Sequence, residues 1–166
     1  TSSVGTKNSV NTIIVMIYTF TINQDQVMKE VAKQTAYIAT HRDDGTAAVA
    51  YDRIATTDQN TELLSTYLCN ATDLLCNALV RYMATDEIVP DDDGNITIAL
   101  DLPSNWDKAK ADIQGRAFAY VVDYILSQWL TITDAKRSDQ YAKSAATKLI
   151  MCQVATNLRK HPVRYE

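Results

Sequence analysis

A chain of 166 residues has room for one domain, burying roughly two thirds of its unfolded surface. A net charge of −4 is too mild to make nucleic acid the main partner. Four glycines and three prolines leave little room for a many-turned β protein, so the composition favours long helices.

Residues 1–11 are small and polar and read as a flexible leader. The next segment, Thr12 to Ile22, is dense in β-branched and aromatic residues. Its second half alternates, with Tyr18, Phe20 and Ile22 on one face and Thr19 and Thr21 on the other, which is a strand pattern. Its first half, Ile13 to Ile17, is apolar without alternation and needs covering on both faces. Asn23 is placed to cap a helix running to about Thr40, with Val27, Val31 and Ile38 as its apolar stripe. His41-Arg42-Asp43-Asp44-Gly45 breaks that pattern, and residues 46–56 allow a short helix through Tyr51 and Ile54.

Thr57 or Asp58 opens the next helix, with Glu62 in its first turn. Apolar residues from Leu64 to Tyr82 follow at helical spacing. Ile88-Val89-Pro90 and Ile96 to Leu102 flank Asp91-Asp92-Asp93-Gly94-Asn95 and read as a β-hairpin at about 87–102. Pro103-Ser104 stops the second run, and a third helix carries Trp106, Ile113, Ala117, Tyr120, Val121, Tyr124, Ile125 and Trp129. After a turn at Thr131 to Asp134, a last helix runs to about Lys160 with Tyr141, Ala145, Leu149, Cys152 and Thr156 inward. The expected fold is mainly α: a bundle of about four helices with a β-hairpin and an N-terminal β-strand arm. Residues 1–22 form the leader and arm, and 23–166 form one helical domain.

Residues able to carry chemistry are sparse. Asp91, Asp93 and Asn95 resemble the opening of a calcium loop, but the sixth and twelfth positions are Ile96 and Leu102 in place of the required glycine and glutamate. His41 and His161 lie in polar surroundings, away from any cysteine at metal spacing. Cys69, Cys76 and Cys152 sit in apolar helical patterns, and their odd count reads as reduced, buried thiols of a cytosolic chain. There is no glycine-rich phosphate loop and no nucleophile elbow. The apolar stretch from Ile13 to Ile22 falls short of the roughly 20 residues of a membrane span. The reading is a protein without catalytic residues, cofactor or metal, made in the cytoplasm and not bound to membrane. Charge is unevenly spread: eight acids meet two lysines between Asp86 and Asp112, and seven bases meet two acids from Lys136 to Glu166. Complementary faces of that kind would orient copies of the chain against each other or against a partner.

Thr57-Asp58-Gln59-Asn60-Thr61-Glu62-Leu63-Leu64 opens a long Ala/Leu/Tyr helix. An acidic hairpin, Asp101-Leu102-Pro103, and a helix with Ile113, Ala117, Tyr120 and Gln128-Trp129 follow. This order resembles the small helical head–tail connector proteins of tailed bacteriophages over about Thr57 to Leu130. The resemblance implies a virion protein that forms a homo-oligomeric ring, touches portal or tail proteins, and reads no specific nucleic acid. The interface expected from the residues comprises Ile14, Met16, Tyr18 and Phe20 on an arm that pairs with a neighbouring chain. It continues through Asp91, Asp92 and Asp93 on the hairpin and Arg159, Lys160 and Arg164 at the basic end. The alternative is a non-enzymatic helical adaptor for one protein partner.

Overall fold

The computed structural model describes residues 14–41 and 55–163. The short helix considered at 46–56 lies almost wholly outside these residues, as do the leader 1–11 and Arg164. Strand β1 (Val15–Ile22) leads into α1 (Gln24–Thr40), and a single 3-10 turn (Asp58–Asn60) precedes α2 (Thr61–Ala78). Strand β2 (Ile96–Pro103), α3 (Ile113–Thr133) and α4 (Ala135–Asn157) follow. The fold is therefore mainly helical, with four long helices and a minor β part, as expected from sequence.

Asn23 caps α1 as its side chain predicts, accepting from the Gln26 N–H at 3.0 Å. α2 buries Leu64, Leu68, Ala71 and Leu75 at three- and four-residue spacing and ends at Ala78, with a 3-10 turn continuing to Tyr82. Cys69 is exposed, which corrects its assignment to the core. It stands one residue round the helix from Leu68, beside the buried stripe. Cys76 is half-buried and Cys152 fully buried.

The third helix does not begin at Trp106. One helical turn (Lys108–Ala111) leads to Asp112 in the left-handed conformation, φ 41°, whose side chain then caps α3 by accepting from the Gly115 N–H. Nor do Thr131 to Asp134 form a turn. α3 continues to Thr133 and only Asp134 separates it from α4, so the two helices pack as an antiparallel pair. α4 in turn stops at Asn157, short of Lys160. α3 is the hub: Ile113, Ala117, Val121, Ile125 and Leu126 are fully buried, and the helix meets α1, α2, α4 and β1. Fully burying each Ile or Leu contributes about 1.5–3 kcal/mol.

The β part is one two-stranded sheet built on the N-terminal strand. β1 pairs with β2 of its own chain, antiparallel, from Val15 opposite Pro103 to Ile22 opposite Ile96. The segment is thus tied to its own chain along one edge. Phe20 and Ile22 are 2% and 1% exposed, packed in the same core as Ile98, Leu100 and Leu102. A strand whose inward face is core cannot be a detached arm. Ile88-Val89-Pro90 forms no strand, and the hairpin's return instead crosses β2 at the Met83–Leu100 bridge and the Ala84 N–H to Ala99 carbonyl bond. Pro90 has no N–H to give a ladder, which disfavours strand at that point. The turn itself is tight, with the Asp91 carboxylate accepting from the N–H groups of Asp93 and Asn95. Gly94 is required there: φ is +77°, and a Cβ would strike the Gln24 side chain.

Burial sets a pH dependence. It pushes the Cys152 thiol up to about 12 from the ordinary 9.0, and the Cys76 thiol up to about 11. The Tyr120 hydroxyl rises to about 12 from 10.0 for the same reason. In each case the fold prefers the neutral form, so the unfolded chain ionises first as pH rises. These three groups therefore leave stability unchanged below about pH 9 and lower it between about pH 9 and 12. Urea midpoints should decline steadily over that window. A midpoint that stays flat to about pH 11 contradicts the burial of these groups.

Candidate assembly surfaces

The N-terminal end of β1 exposes a run of apolar residues. Odd-numbered residues of the strand face outward and even-numbered ones face the helices. Towards the N-terminal end both sets come out of cover: Ile14 is 69% exposed, Val15 52%, Met16 38% and Ile17 68%. Tyr18 is half-buried, its ring 4.9 Å from that of Trp106, and Lys108 lies 5.6 Å over the same ring. Of the four arm residues expected at an interface, Ile14 and Met16 are thus accessible. Phe20 belongs to the core and Tyr18 lies between the two.

The outward face of α4 carries a second apolar group, Ile150, Met151 and Val154, each 44% exposed or more. The inner face of the same helix buries Ala145, Cys152, Ala155 and Thr156 against its neighbours. Its C-terminal half is fixed to the end of α2: Gln153 Nε2 donates to the Ala78 carbonyl and Tyr82 Oη to Asn157 Oδ1 at 2.6 Å. The exposed trio therefore sits on a rigid support.

The charged residues expected at an interface are differently used. Asp92 and Asp93 are exposed at the turn, whereas Asp91 is engaged by the turn's own N–H groups. Arg159 Nη1 donates to the Thr156 and Leu158 carbonyls, closing the end of α4, so its guanidinium is partly satisfied within the chain. Lys160 is exposed, and its N–H donates to the Asn105 carbonyl. That bond and the one from the Asp107 N–H to the Leu158 carbonyl lay the start of the basic end beside the acidic middle of the same chain.

One buried polar cluster was not singled out from sequence. Asp123, 5% exposed on α3, accepts at a single oxygen, Oδ2, from Ser144 Oγ at 2.5 Å and from Lys148 Nζ at 2.6 Å. The cluster pins the register of α3 on α4, since stripping either partner from a buried pair is the costly change. The sequence did hold a signal for it. A lone acid inside the apolar run from Ala117 to Leu126 needs a partner, and Ser144 and Lys148 share a helix face at four-residue spacing.

A cleft of about 400 Å³ lies between the end of α2 and the following loop, lined by Asp73, Cys76, Asn77, Val80, Met83 and Asp86 among others. No group among its residues is paired for proton or acyl transfer, and the Cys76 thiol is raised rather than activated. His41 stacks on Tyr37 with its Nδ1 3.0 Å from the Tyr37 carbonyl, and His161 is exposed. Among the described residues, no three His, Cys, Asp or Glu side chains converge as a metal site would require. Within those residues, no helix is long and apolar enough to cross a membrane. Comparison with protein families, with characterised proteins and with solved structures finds no match to this chain.

Proposed function

We propose that this protein is a structural assembly subunit, acting through its surfaces rather than through a catalytic site. The assembly is a ring of identical copies of the head–tail connector kind that the sequence resembles, seated against portal or tail proteins of a virion. The observation that carries the reading is the β1 edge with its exposed apolar end at Ile14 to Ile17. Soluble monomers blunt a strand edge with charge, proline or a bulge, because an open edge templates pairing with another chain. Ile14 to Ile22 contains no charge and no proline, and its ladder with β2 runs without a bulge. Ile150, Met151 and Val154 on α4 supply a second contact surface of the same character.

Light scattering on the full chain across a range of concentrations, with electron-microscope images of the same sample, tests this. A closed ring-shaped oligomer is expected. Opposed acidic and basic faces would make it shrink as salt rises, because exposed charges are screened over about 8 Å at physiological salt. A small species of fixed mass under every condition would favour the adaptor reading and remove the ring.

A further inference from the structure

We propose that β1 pairs with β1 of a second copy, antiparallel about a two-fold axis near Ile17, joining two two-stranded sheets into one of four strands. The inference rests on the assembly reading and names the partner of one of its surfaces.

The backbone shows which groups await a partner. The Ser104 N–H donates to the Ile14 carbonyl at 3.0 Å, continuing the register in which Val15 faces Pro103. Even-numbered residues of β1 therefore bond to β2, and the antiparallel alternation turns the N–H and C=O groups of Val15, Ile17, Thr19 and Thr21 to the other edge. Among the described residues nothing bonds to that edge. The far edge of β2 is obstructed at its middle, where the Ala84 N–H donates to the Ala99 carbonyl and Met83 bridges Leu100. Head-to-tail pairing of β1 on a neighbour's β2 is blocked at that point. Among the described residues the edge left open along its length is β1 itself, and identical edges pair through a two-fold axis, which makes them antiparallel.

The side chains agree with this geometry. A two-fold axis normal to the sheet keeps outward residues outward, so Ile17 meets Ile17 of the second copy and Val15 meets its Thr19. On the inner face Met16 meets Tyr18. Apolar and β-branched residues thus face one another, the cross-strand pairs that stabilise sheets. No charged residue lies between Lys7 and Asp25, so two copies meet along this edge without like-charge repulsion. Such a register sets the exposed apolar end beside apolar and β-branched residues of the second copy. A two-fold contact joins copies in pairs and does not by itself close a ring, so closure falls to another surface, for which the outward face of α4 is a candidate.

Disulfide trapping tests the register. Residues of a hydrogen-bonded antiparallel pair have Cα atoms about 5.5 Å apart, within the span of a disulfide. Ile17→Cys in the full chain, with the exposed Cys69 replaced by serine, should oxidise to a covalent dimer in high yield. Thr21→Cys, which this register sets far from its own copy in the partner, should not. Ile17→Lys provides the second arm. The side chain is outward and exposed, so helical circular dichroism should be unchanged while pairing weakens at least tenfold in sedimentation. Equal trapping at positions 17 and 21, or unchanged pairing in Ile17→Lys, overturns the two-fold edge. If Ile17→Lys still forms the large closed species, the edge inference fails and the assembly reading stands. If the unmodified chain is monomeric throughout, both fail.

Discussion

Trp106→Ala is expected to cost about 3–5 kcal/mol of folding stability, the range for truncating a buried tryptophan. Trp106 is 1% exposed and lies just past β2, outside any helix. Its ring contacts Tyr18 on β1, its Nε1 donates to the Ala155 carbonyl on α4 at 2.8 Å, and its backbone bridges Arg159. One side chain therefore ties the sheet to the end of the last helix. Alanine removes the packed ring and leaves the Ala155 carbonyl without this donor. Trp106→Phe separates the two effects, since it keeps most of the apolar volume and loses only the hydrogen bond, for about 1–3 kcal/mol. Urea unfolding measures both. An alanine variant within about 1 kcal/mol of the parent would mean that Trp106 does not join these elements.

Deleting residues 1–22 should abolish cooperative unfolding. The deletion takes Phe20 and Ile22 out of the core, where truncating each to alanine would already cost about 3–5 and 2–5 kcal/mol. It also strips β2 of its partner along the edge that faces β1 and uncovers Ile98, Leu100 and Leu102. Against a whole-domain stability of about 5–15 kcal/mol, losses of this size leave little or nothing. Thermal scans of the truncated chain should show a broad, featureless transition, with retained helix but no fixed near-ultraviolet signal. An arm that merely reached across to a neighbour would leave a cooperative, folded monomer, and that result would contradict the pairing of β1 within its own chain.

These two variants mark where local pattern ends and tertiary structure begins. The periodicity of Leu64, Leu68, Ala71 and Leu75 was enough to place α2 and its buried face, because a 3.6-residue period is a property of the helix alone. Asn23 announced the start of α1 and the alternation of Tyr18, Phe20 and Ile22 announced β1, for the same local reasons. The limits of local signals appear at Cys69 and Cys76. Seven residues apart, they share a helix face, but that face borders the buried stripe, and only packed neighbours decide how much of a border is covered. The partner of β1 is more distant still. Val15–Ile22 joins Ile96–Pro103 across more than seventy residues, a pairing that no period in either segment encodes. Either strand would satisfy its hydrogen bonds with any edge in register, and the burial of Phe20 and Ile22 against α3 selects this one. Asp123 follows the same division. Sequence placed a lone acid in an apolar run, whereas the antiparallel packing of α3 on α4 brought Ser144 and Lys148 to its carboxylate. The sequence by itself determined which residues share a face of each helix or strand, because that follows from backbone periodicity. The tertiary structure decided what each meets there, because burial energy is shared among elements that are far apart in the chain.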